Sequence, residues 1–198
     1  EYYRKPDDSN NDKTADKENK RVNLNRKGQV EAHLRAEFLD PLIKYKNEIV
    51  KKFGNVVLIW IHGAYDDSVP ESIKVVIGYG QDKDNNDTRH TAKIDTIDAL
   101  IKGLNENNLT AVKADITENK FCARDINNMN QYFRKIEGKN FDKLQSIQLE
   151  FRWTGCRDTD ESIETTARDL AYAISALILP TVYDPIVEKA YNKLALVF

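Results

Sequence analysis

The chain has 198 residues, 40% of them hydrophobic and 31% charged, values that belong to an ordinary globular domain with a single core. Its 30 Lys and Arg against 32 Asp and Glu leave a formal net charge of −2, without the basic excess that neutralises a phosphate backbone, so nucleic acid is not an expected partner. No apolar run reaches the roughly 20 residues that cross a bilayer, the longest lying around Ile174 to Leu179 within an amphipathic pattern, and no membrane partner is expected.

Residues 1–20 are dense in Asp, Lys and Asn and hold almost nothing apolar after Tyr3, so burial cannot repay the entropy of ordering them, and they read as a mobile polar segment. Over residues 29–52 apolar side chains recur at helical spacing (Leu34, Phe38, Leu42, Tyr45, Ile49), with Pro41 placed to kink or split the helix and Gly54 to stop it. Residues 55–61 form a short, nearly continuous apolar run, which predicts an inner strand buried on both faces. A second buried strand is predicted over residues 73–77, closed by Gly78 and Gly80 and followed by a polar loop over residues 81–89. Ile94, Ile97, Ile101 and Leu104 give the next helical stripe, and residues 109–114 the next strand.

Residues 144–153 alternate, with Ile147, Leu149 and Phe151 on one face and Gln148, Glu150 and Arg152 on the other. Ile163, Ala167, Leu170, Ile174 and Leu177 mark a helix that Asp158 and Glu161 can cap and Pro180 ends, with a last helix starting near Pro185. Strands alternating with helices predict an α/β fold with a mainly parallel mixed sheet and helices on both faces. Cys122 and Cys156 make no CxxC pair; they read as two free thiols in a reducing compartment, with a single disulfide between them left open.

Four features carry chemistry. His62 follows an apolar strand and precedes Gly63, so its imidazole stands at a strand's carboxyl end, where open α/β sheets place ligands; it suits a metal ligand or a hydrogen-bonded loop histidine. Glu150 sits in an apolar strand pattern, where a carboxylate needs a partner or a task such as general base; pairing with Arg152 on the same face is the structural alternative. Asn25 and Arg26 stand where the chain turns from polar to patterned, and the planar guanidinium suits a substrate carboxylate, though a solvated arginine satisfies the same pattern. Arg124, in a polar Asn-rich stretch, is a candidate second anion contact or an arginine on a helix surface.

Together these segments resemble a known superfamily. Asn23-Leu-Asn-Arg26 is similar to the "DLNR" segment of the zinc carboxypeptidase and N-formylglutamate amidohydrolase superfamily, residues 59–63 to its "DIHG/SIHS" segment, and residues 150–155 to its "ELRDTG", in the superfamily's order. The resemblance runs from about Asn23 to Ser175 and implies a phosphorylase/hydrolase-like fold for the single domain read over residues 21–198. It also implies zinc held by His62, Glu150 as the base that deprotonates the zinc-bound water, and Asn25 and Arg26 as the grip on a small-molecule or peptide substrate with a carboxylate; Arg124 is placed beside them by its position alone. The implied activity is metal-dependent hydrolysis of an amide bond in a small acidic acyl-amino acid or a peptide end. A binding domain that keeps the anion pocket without zinc is the alternative.

The match departs from the superfamily in one respect. Its two other zinc ligands come from a His-x-x-Glu motif upstream of the Asn-Arg segment, and residues 1–23 hold no histidine. Either an upstream portion beyond Glu1, the expected reading, supplies them, or the protein has abandoned the metal. His33 and Glu37 read as a surface pair on the first helix, and His90 as a solvated loop residue. The expected compartment is the cytoplasm.

Overall fold

Pro41 sets the shape of the first long helix. The structure is a computed structural model that describes residues 2–3, 22–23, 26–28, 30, 34–81, 89–115, 120–136 and 140–178. Arg35–Leu39 is π-helical, with the Leu39 N–H reaching the Leu34 carbonyl at 3.2 Å, and α1 (Asp40–Phe53) continues directly from it with Pro41 at the junction, where the missing N–H takes one donor from the helical ladder. A π turn holds one residue more than an α turn and so rotates the faces of α1 by about 100°. The predicted stripe is therefore corrected by one position: Leu39 is buried and Leu42, Ile43 and Val50 pack on the core, while Tyr45, Ile49 and Phe53 are exposed. Gly54 ends α1 in the left-handed region at φ 85°.

The short strands β1 (Tyr2–Tyr3) and β2 (Val22–Asn23) pair antiparallel. The rest of the expected mobile segment, the loop residues 82–88 and the helix expected near Pro185 lie outside the described residues. The main sheet comprises β3 (Val56–Gly63), β4 (Val75–Gly78), β5 (Ala111–Lys113) and β6 (Leu144–Phe151) in the order β3-β6-β4-β5. β3 runs parallel to β6 and β4 parallel to β5, while β4 and β6 are antiparallel. The sheet is thus mixed, and β3 is an edge strand among the described residues rather than the predicted inner one. Ile61 on it is 46% exposed. The wholly buried inner strand is β4.

Each sheet face carries helices. Val75, Ile77, Ile147, Leu149 and Phe151 pack against α2 (Ile94–Glu106) and α4 (Asp160–Ile178). On the other face Val56 and Leu144 pack with Leu39, Met129 and Phe133, under α1 and α3 (Met129–Ile136). Thr159 and Ser162, rather than the predicted Asp158 and Glu161, exchange the capping hydrogen bonds at the start of α4, each backbone N–H reaching the other's hydroxyl at 3.1 Å. Both cysteines are free and buried. His90 is also buried, 4% exposed with its ring tilted against that of Tyr79 at a centroid distance of 5.2 Å, which corrects the solvated reading.

Candidate functional site

Strand alternation turns Ser146, Gln148 and Glu150 to the face under α1 and α3, and all three are buried, at 1%, 3% and 6% exposure. The parallel register sets Trp60 beside Gln148 and His62 beside Glu150. In-register neighbours on parallel strands share a face, and the Trp60 indole N–H confirms which one by donating to Ser146 Oγ at 2.9 Å. His62, two residues on, therefore stands next to Glu150 at the carboxyl ends of β3 and β6. The register makes neighbours of two residues 88 positions apart in sequence.

Glu150 is held by its own strand: Gln148 Nε2 donates to Glu150 Oε1 at 2.7 Å, and Asn128 Nδ2 donates to Gln148 Oε1 at 3.1 Å. Arg26 comes to the same place through the backbone, forming an isolated antiparallel bridge with Asn128. Its guanidinium pairs with Asp125, both side chains being about half exposed. The Asn127 N–H on Oδ1 and the Arg26 guanidinium both favour the ionised form, holding the Asp125 carboxyl below the usual carboxylate range. Arg26 is thus an ion-paired arginine beside the Glu150 network. Asn25 lies outside the described residues.

Arg124 is half-buried in the segment leading into Asp125, not on a helix, and its carbonyl accepts from Arg89 at 3.1 Å. This segment crosses the sheet tightly. Phe121 and Ala123 take left-handed backbones at φ 58° and 57°, and a Cβ on Gly78 would stand 1.9 Å from the Phe121 carbonyl oxygen. Between them Cys122 is buried, and desolvation pushes its thiol up to about 11, which disfavours the thiolate near neutral pH.

The segment after β6 closes on the segment after β3. Asp66 accepts from Arg152 Nε at 3.0 Å, from the Thr154 N–H at 3.0 Å and from the Thr154 hydroxyl. Arg152 Nε is therefore engaged by Asp66. Thr154 chiefly, then Arg152, hold the Asp66 carboxyl down at about 2.

The fold built around this pair has a solved counterpart. The chain is similar to an N-formylglutamate amidohydrolase from Ralstonia eutropha JMP134, with a TM-score of 0.53 and 18% identity, over 84% of this chain and 54% of that one. The likeness is one of fold. The chain spans about half the length of that protein. No family model matches the chain, and no curated protein matches it.

A catalytic zinc takes three protein ligands and keeps an open position. Among the described residues no group of three or more His, Cys, Asp or Glu is placed to hold a metal, so His62 and Glu150 alone do not fit a zinc. His33 lies outside the described residues, and Glu37 is exposed in the π turn. Among the described residues no helix is long and apolar enough to cross a membrane.

Sequence reasoning passed over Asn128, Asn130 and Ser146, which are buried at 6%, 0% and 1% exposure. The signal was present in part, as Ser146, Gln148 and Glu150 alternate with apolar residues. Nothing local shows that an Asn-rich stretch some 20 residues upstream turns its amides into that row.

Proposed function

We propose that the chain is a hydrolase of the N-formylglutamate amidohydrolase type, cleaving the amide bond of a small acidic acyl-amino acid or a peptide end. The observation that carries this reading is the in-register pairing of His62 with Glu150 at the carboxyl ends of two parallel strands, on one sheet face. The fold likeness supports it. Glu150 takes a proton from a water molecule as the oxygen adds to the amide carbonyl carbon, and returns a proton to the departing amine nitrogen. Arg26 receives the substrate carboxylate in place of Asp125, with Asn25 and Arg124 as further polar contacts. Zinc enters this proposal only as a partner of His62, because a complete ligand set needs donors beyond the described residues.

The test is hydrolysis of N-formyl-L-glutamate against its dimethyl ester, with and without added zinc. The expected result is turnover of the acid in preference to the ester. Arg26→Ala should remove that preference by raising KM for the acid, since a charge-assisted contact is lost only where the substrate carries the charge. Absence of turnover under both metal conditions would contradict the reading.

A further inference from the structure

Glu150 ends a chain of hydrogen bonds that runs in one direction. The Trp60 indole N–H donates to Ser146 Oγ at 2.9 Å, and the Ser146 hydroxyl donates to Asn130 Oδ1 at 2.7 Å. Asn130 Nδ2 donates to Asn128 Oδ1 at 2.8 Å, Asn128 Nδ2 to Gln148 Oε1 at 3.1 Å, and Gln148 Nε2 to Glu150 Oε1 at 2.7 Å. Four of the links lie between side chains at most 6% exposed.

The direction is dictated rather than chosen. An indole N–H can only donate, so the first link points away from Trp60. The Asn130 backbone N–H, also a donor only, meets Asn128 Oδ1 at 2.8 Å, which fixes that amide's oxygen and turns its nitrogen to Gln148. Gln148 must then show its own nitrogen to Glu150. A carboxylate completes the sequence because it accepts, and bonds aligned head to tail polarise one another.

We propose that Gln148, set by Asn128, is a positioning residue: the relay from Trp60 to Gln148 fixes the rotamer of the Glu150 carboxylate beside His62. The catalytic part rests on Glu150 acting as the base in the reading above, while the relay itself does not. It also gives the Arg26 bridge a consequence, since Arg26 pairs through the backbone with Asn128, the residue that orients Gln148.

Asn128→Asp tests this, because it keeps the shape and replaces the donor facing Gln148 with an acceptor. Gln148 must then turn its amide, presenting a carbonyl to Glu150. In the wild-type chain, NMR should show one Gln148 side-chain amide proton downfield of solvated amides and slow to exchange, identified by its absence in Gln148→Leu. Asn128→Asp should remove that signature and lower kcat about 10²-fold, the scale of a small misplacement of a reacting group, with KM within about twofold. Should Asn128→Asp fail to fold, Gln148→Leu carries the same kcat expectation. A Gln148 amide that exchanges like a solvated one, or does not respond to Asn128→Asp, overturns the relay; an intact signature in the wild type with kcat unchanged in either variant overturns the positioning role. If the wild-type chain hydrolyses no acyl-amino acid, the hydrolase reading falls, and the NMR arm alone then upholds or overturns the relay.

Discussion

Asp66 joins the two loops that flank the His62 and Glu150 pair, and its ionisation is what makes the joint. Thr154 and Arg152 hold its folded pKa at about 2, below the ordinary 3.8. A depressed carboxylate contributes stability that is present above its unfolded pKa and lost as pH falls through the folded one. Thermal melts of the wild type should therefore lose stability from about pH 4 down to about pH 2, and Asp66→Asn should lack that component. Equal acid sensitivity of the two proteins would contradict the assignment. At this scale the sequence was partly readable: Glu150 stands out as a charge in an apolar strand, and burial at 6% exposure confirms the anomaly. Arg152 gave no sign of its partner, because Asp66 lies 86 residues away.

Among the elements, those governed by short-range periodicity were legible. The alternation of β6 appears where the sequence places it, and in the α2 stripe Ile97 and Leu104 are buried and Ile101 packs on the core, whereas Ile94 is exposed and Leu100 is buried in addition. The face of α1 was not, because the π turn before it adds a residue that no residue type announces, leaving Tyr45 64% exposed. Nor was the position of β3 in the sheet, since an apolar run reads alike whether its neighbours lie on one side or two. The 121–123 crossing was equally hidden, depending on a non-local fit over Gly78. Gly78→Ala tests that fit: a methyl 1.9 Å from a backbone oxygen cannot be relieved by a side-chain rotation. Denaturant unfolding should show a loss of at least about 1–3 kcal/mol, the usual cost of overpacking. Unchanged stability would mean that the segment does not pack there.

For the whole molecule, alternating strands and helices were enough to give a mixed α/β sheet covered on both faces, and that architecture is similar to a solved amidohydrolase over 84% of the chain. The site is a product of topology. His62 and Glu150 become neighbours only because β3 and β6, distant in sequence, run parallel in one register. The proposed activity therefore stands on the chemistry of that pair, and the most direct measurement is the kcat of Glu150→Gln with N-formyl-L-glutamate, compared with the wild-type chain under identical metal conditions. The substitution keeps the shape and removes the base, so kcat should fall about 10²–10⁴-fold while the folded structure is retained. Full activity in Glu150→Gln would show that the carboxylate is only a structural partner of Gln148, and would contradict the hydrolase reading.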